Sequence, residues 1–157
     1  VGLFLTTLLC RMGMSRYRMS FSQNIASKRY NRRFSSDGPQ AWTCSDPAVR
    51  KSLMENPLCN FALTADGSRC LMNLMVKAYD DAEWTVKNPR MPVVFLSGQD
   101  DPVMVSERKF HKAAQSLCDK GYMNVTSAIY PAMRHEILNE IGKEDVWEDI
   151  LDFIGLK

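Results

Sequence analysis

The stretch Met91-Pro-Val-Val-Phe-Leu-Ser-Gly-Gln-Asp-Asp-Pro-Val103 decides how this chain is read. Pro92 introduces four apolar residues, Val93 to Leu96, rich enough in β-branched and aromatic side chains for a strand buried on both faces of a parallel sheet. Ser97-Gly98 opens a turn, two carboxylates follow, and Pro102 drives Asp101 out of helical backbone into an extended or turn conformation. An aspartate displayed just past the carboxyl end of such a strand stands where open α/β sheets build their sites. Downstream, Tyr130-Pro-Ala-Met-Arg-His-Glu136 repeats the arrangement: the strand-like run from Val125 to Tyr130 ends, a proline turns the chain, and a histidine is presented.

Between the two turns, the spacing predicts a helix from Ser106 to Lys120 with Phe110, Ala113, Ala114, Leu117 and Cys118 facing inward, closed by Gly121. A last helix, Lys143 to Ile154, offers Val146, Ile150, Phe153 and Ile154 to the sheet. Strand, helix, strand, helix in this order implies a right-handed crossover and two adjacent parallel strands. Two strands do not make a stable sheet, so this half reads as one edge of something larger.

Upstream the pattern changes. Leu3, Phe4, Leu8, Leu9 and Met12 fall at helical spacing in a segment, Val1 to about Tyr30, that then turns polar and basic. Ser35 to Pro39 is a turn cluster, and Ser45-Asp46-Pro47 starts a helix carrying Val49 and Leu53 that Asn56-Pro57 ends. After a turn at Ala65-Asp66-Gly67, Asp66 to Tyr79 is a helix with Leu71, Leu74, Met75 and Ala78 on one face. No stretch before Asn88 reads as a buried strand. The expected division is therefore a helical region, 1–88, and an α/β section, 89–157, joined through Lys87-Asn88-Pro89-Arg90.

At 157 residues and 45% hydrophobic content the chain has the size and composition of one globular domain, which argues against disordered and fibrous classes. Its net charge of +2 is unevenly spread: Arg11, Arg16, Arg18, Lys28, Arg29, Arg32 and Arg33 precede the first acid, Asp37. Such an arm can meet phosphate or an anionic membrane, or it can be a solvated helical face. Five scattered cysteines without a C-x-x-C pair suggest neither a zinc site nor a disulfide framework, and a reducing, cytoplasmic setting fits them. The opening VGLFLTTLLC is shorter than the roughly 20 residues of a transmembrane span and lacks the basic start of a secretion signal; it reads as a helix of the folded protein.

Asp101 and His135 stand 34 residues apart, yet one strand-helix-strand unit brings both to the same rim of the sheet. There an aspartate can hold one imidazole nitrogen while the other takes a proton from a nucleophile. Spacing alone also admits a helix-capping aspartate and a solvated loop histidine. His111, inside the intervening helix, reads as a surface or packing residue.

The segments FLSGQDDPVM, KGYMNVTSAIYPAMRHEILNE and VWEDILDFI closely resemble the carboxyl-terminal end of α/β-hydrolases of the serine aminopeptidase, lysophospholipase and monoacylglycerol lipase group. In that group a Gly-x-x-Asp turn carries the acid of a catalytic triad and a Tyr-x-x-x-x-His-Glu-like turn the base. The resemblance places the acid on Asp101, with Asp100 its neighbour, and the base on His135. The helical half, including AWTCSDPAVRKSLMENPLCNFALT, looks like the lid inserted between strands in the same group. The triad order is Ser, acid, His, with the serine on a Gly-x-Ser-x-Gly elbow. No serine here has those flanking glycines. Since the chain also opens on Val, the first half of the core, the nucleophile and the oxyanion donors are expected upstream.

The resemblance implies a parent enzyme that cleaves esters of small lipids, such as monoacylglycerol or lysophospholipid, through an acyl-enzyme intermediate and without cofactor or metal; an aminopeptidase acting on peptide-like substrates is the alternative on the same fold. This chain alone, without the serine, is expected to be inactive. The Met and Leu faces of the lid then serve an acyl pocket, a peripheral contact with a membrane surface, or ordinary packing. A different class of reading takes the chain as a truncated, non-catalytic product that binds a lipid or a partner. Nucleic acid is not an expected partner; steeply salt-dependent binding to the basic arm would be its signature.

Overall fold

The computed structural model describes residues 2–59, 61–80 and 84–156. In chain order these form α1 (Gly2–Arg11), α2 (Ser20–Asn31), a tighter 3₁₀ turn (Arg32–Asp37), α3 (Pro47–Glu55), α4 (Ala65–Ala78), β1 (Val93–Gly98), α5 (Glu107–Asp119), β2 (Val125–Tyr130) and α6 (Lys143–Phe153). They group into two compact units, one of residues 1–29 and 56–85, the other of residues 30–55 and 86–157. The second unit joins residues 30–55 to the strand-bearing section. Val1, where the reading of the first helix began, lies outside the described residues.

In the first unit α1 packs on α4 through small side chains: Thr6, Ala65 and Ser68 are buried, and a side chain at Gly2 would press on the Met72 thioether. Thr64 caps α4 by accepting a hydrogen bond from the Gly67 N–H at 3.1 Å, so the residues read as a turn, Ala65 to Gly67, are the helix's first turn. The Met19 N–H to Leu63 carbonyl and Ala65 N–H to Tyr17 carbonyl bonds (2.8 and 2.7 Å) tie the loop after α1 to this helix start. The apolar face read from the sequence is not the face that packs: Leu71, Leu74 and Met75 are exposed, Leu74 at 65%. Periodicity identifies an apolar stripe but not what covers it.

The second unit is built on a parallel pair, β1 against β2, in register from Val93–Val125 to Gly98–Tyr130. The crossover helix α5 is capped by Ser106, whose hydroxyl accepts from the Lys109 N–H at 3.3 Å, and it ends at Gly121, where φ is +111° and a side chain would be strained. Ala114 is buried, and Phe110 meets Phe95 edge to face at 6.3 Å. On α6, Val146 is fully buried with Tyr130 and Met133, joined by Leu96, Ala128, Ile137 and Ile150. Burying a valine this completely contributes about 1.5–3 kcal/mol. Tyr130 also donates its hydroxyl proton to Asp149 at 2.7 Å.

Two expectations need correction here. Val93 to Leu96 are half-buried rather than buried on both faces, because the sheet has two strands and neither face is fully roofed; only Ser97 and Gly98, under the turn that follows β2, are buried. Phe153 and Ile154 are 38% and 54% exposed, since the last turn of α6 lies outside the cluster around Val146.

Candidate active site

The turns that follow β1 and β2 are laced together by backbone. The Gln99 N–H donates to the Tyr130 carbonyl and the Asp100 N–H to the Met133 carbonyl, both at 2.9 Å. This approach is why residue 98 is glycine: an added Cβ would lie well under 3.0 Å from the carbonyl oxygens of Met133 and Arg134. Backbone cannot yield as a flexible side chain does. Gly98→Ala is expected to destabilise the protein by about 3 kcal/mol or more, read as a fall in the urea midpoint. An unchanged midpoint would mean the two turns are not held this closely.

The positions of Asp101 and His135 follow from that lacing. Asp101 accepts from the Val103 N–H through Oδ1 at 2.8 Å, a local turn that aims Oδ2 at His135 Nδ1, 3.0 Å away. The Asp101 side chain is 10% exposed, the imidazole 39%. The hydrogen bond to Asp101 raises the histidine pKa above its ordinary value, against the opposing effect of burial, with further support from the negative charges of Asp101 and Glu136. With Nδ1 engaged, Nε2 is the nitrogen left for proton transfer.

The two adjacent aspartates have different partners. Asp100 turns to Arg33, 2.8 Å away, so the last cation of the basic arm neutralises the carboxylate that His135 does not use. His111, on α5, is exposed and within 3.2 Å of the Ser127 hydroxyl, with no part in the pair.

Sequence reasoning missed what holds the histidine turn. Glu140 is 2% exposed and collects the backbone N–H groups of Ser45 and Arg134 on Oε1 (2.8 and 2.9 Å), with the Ser45 hydroxyl and the Ile141 N–H on Oε2. The Arg134 guanidinium donates to the Ala41 carbonyl and pairs with Asp37, and its face covers Phe34 at 4.2 Å. Arg50, also buried, bonds the carbonyls of Cys44, Ser45 and Asp37. The Glu136 N–H reaches the Thr43 carbonyl at 2.7 Å, so residues 37–50 and the histidine turn are stitched along their length. A glutamate and two arginines that fix a loop look, in sequence, like any solvated charges.

No thiol offers itself beside this pair. Cys44 is buried, its Sγ is 3.5 Å from the Asn139 carbonyl, and burial pushes its pKa up to about 11. At neutral pH it stays protonated and a poor nucleophile.

Comparison with known proteins bears on the family and the fold. The model of the family described as serine aminopeptidase, S33, matches residues 3–142. Among solved structures, a thermostable carboxyl esterase from Bacillus coagulans in complex with glycerol superposes with a TM-score of 0.77 at 23% identity, covering 98% of this chain and 50% of that one. A lipase in its open form gives 0.67 at 23% identity, over 77% of this chain and 39% of the other. A soluble variant of monoglyceride lipase from Saccharomyces cerevisiae, bound to a substrate analogue, gives 0.61 at 18% identity, over 90% and 53%. The chain thus spans about half the length of the esterase it matches. No match is found among curated proteins.

Proposed function

We propose, from the premise that this chain belongs to the serine aminopeptidase (S33) family, that Asp101 and His135 are the acid and base of a Ser-His-Asp triad whose serine lies outside the 157 residues. The observation that carries this reading is the 3.0 Å contact between Asp101 Oδ2 and His135 Nδ1, at the carboxyl ends of two adjacent parallel strands. His135 Nε2 takes the serine proton as the serine oxygen attacks the substrate carbonyl, then returns it to the leaving alcohol; water repeats the cycle on the acyl-enzyme. Asp101 holds the tautomer and stabilises the imidazolium between the two transfers.

The substrate class we assign is a carboxylic ester of a small lipid, of the monoacylglycerol or lysophospholipid kind. Support comes from the esterase and lipase folds and from the exposed apolar stripes of residues 1–88, which we read as a lid. Phe4, Phe21 and Leu74 on that lid suit an acyl chain or peripheral contact with a lipid surface; no helix among the described residues is long and apolar enough to cross a membrane. The five scattered cysteines favour a cytoplasmic setting. The family description keeps an aminopeptidase as the second reading.

A substrate panel on the full-length enzyme separates the two: monoacylglycerol and p-nitrophenyl acyl esters against aminoacyl p-nitroanilides. The account expects kcat/KM for the esters to lead by at least about a hundredfold, a gap of about 2.7 kcal/mol in transition-state binding. Preference for the anilides would transfer the assignment to the peptidase.

A further inference from the structure

One side of the His135 ring is occupied by a residue that the triad does not account for. Trp42 lies with its ring centroid 5.2 Å from that of His135, tilted by 37°, and Tyr30 lies 5.1 Å from Trp42 on a 46° tilt. The indole is itself held. Its Nε1–H donates to Gln40 Oε1 at 2.7 Å, and its backbone N–H donates to Asn31 Oδ1 at 3.0 Å. The Asn31 amide reaches on to the Gly38 carbonyl at 2.9 Å, and Gln40 sits at a φ of +56°, a left-handed conformation that a non-glycine residue adopts only where its surroundings impose it. Four residues, Tyr30, Asn31, Gly38 and Gln40, thus fix one aromatic face beside the imidazole.

We propose that Trp42 is a positioning residue for His135, bracing the imidazole so that Nδ1 stays on Asp101, and favouring the imidazolium formed when Nε2 takes up a proton. A centroid separation near 5 Å lies within the range over which an indole attracts a cation, and tryptophan is the strongest of the aromatic partners. The inference rests on the role proposed above for His135. The charged groups around the ring are accounted for: Asp101 is its hydrogen-bond partner, Glu136 adds a negative charge, Arg134 is turned to Asp37, and Asp100 is paired with Arg33. The neutral indole adds stabilisation of positive charge from the ring face it covers, where none of these groups is placed by a hydrogen bond or ion pair.

The test is a titration of His135 by NMR in the full-length enzyme, assigned by its loss in His135→Ala, together with the kinetics of Trp42 variants. In Trp42→Leu the midpoint should fall by about half a pH unit, since loss of the aromatic face favours the neutral ring. At the same time kcat should drop roughly tenfold with KM little changed, as expected for a misplaced base. Trp42→Phe, a weaker but still aromatic face, should recover part of both effects. In the unaltered protein, the Trp42 indole N–H signal should move with pH along the same midpoint, a reading that needs no variant to fold. An indole signal flat through the His135 titration, or a folded Trp42→Leu with unmoved midpoint and kcat, would overturn the proposal. So would a rise in KM alone, which would make Trp42 a wall of the substrate pocket. The two failures separate: full turnover in His135→Ala overturns the role of His135 whatever Trp42 does. An unmoved midpoint in Trp42→Leu with His135→Ala inactive overturns only the role of Trp42.

Discussion

His135→Ala in the full-length enzyme is expected to lower kcat by about 10⁴- to 10⁶-fold on an ester substrate, the range found when the base of a serine triad is removed. Nδ1 is committed to Asp101, so Nε2 is the one imidazole nitrogen available to take the serine proton, and no second histidine stands by: His111 is engaged with Ser127 on α5. His111→Ala should accordingly leave kcat within about twofold, a control for histidine loss in general. The pH profile carries the sign of the same contact. Because the hydrogen bond to Asp101 raises the His135 pKa, the neutral, base-competent ring is lost on acidification at a pH above the ordinary value near 6.5. The acid limb of kcat/KM should fall there. A profile flat from pH 5 to 8, or a His135→Ala enzyme with near-normal turnover, would remove this residue from the chemistry.

Asp101→Asn is expected to cost up to roughly 10⁴-fold in kcat, by analogy with the serine proteases, because an amide either donates to Nδ1 and forces the wrong tautomer or leaves the imidazolium without its counter-charge. The same change should move the acid limb to lower pH, since the contact that raises the His135 pKa is gone. Asp100→Asn breaks only the ion pair with Arg33, whose guanidinium is 70% exposed, and an exposed pair of that kind contributes about 1 kcal/mol or less. A loss of turnover within tenfold is expected there. Equal losses at the two aspartates would show that the turn collapses as a unit, and a larger loss at Asp100 would exchange their roles. Both variants need only their kcat, KM and thermal midpoints for the decision.

The strand-bearing half was legible because its signals are local and strong. A β-branched run, a serine cap at Ser106 and a glycine stop at Gly121 each specify backbone conformation through residues that admit few alternatives, whereas Ser97-Gly98, read as the opening of a turn, pairs with Ile129 and Tyr130 as the end of β1. The parallel pairing follows from the length of the crossover. The choice of Asp101 over Asp100 came from the Gly-x-x-Asp resemblance, and the 3.0 Å contact with His135 is the structural observation that now favours it.

What the sequence did not disclose depends on contacts between distant segments. Glu140 and Ser45 are 95 residues apart and Arg134 and Asp37 are 97 apart, and nothing in either neighbourhood marks them as partners. A buried glutamate satisfied by backbone N–H groups has the same sequence signature as an exposed one. Likewise the tilted stack of Trp42 on His135 joins a residue from the loop before α3 to one from the turn after β2, and hydrophobic periodicity carries no information about it. The helical stripes of α4 misled for a related reason: amphipathicity predicted the helix correctly, while the face that packs on α1 is the one with the small residues Ala65 and Ser68.

The most direct test of the central claim, that Asp101 and His135 serve a serine outside these 157 residues, is labelling of the full-length enzyme with a fluorophosphonate probe, followed by mass-spectrometric identification of the modified residue. The probe reacts with a serine only where a base and its orienting acid activate it. The account predicts one adduct, on a serine outside residues 1–157, lost in His135→Ala and strongly slowed in Asp101→Asn. An adduct on a serine within these residues, or labelling undiminished by His135→Ala, would contradict it.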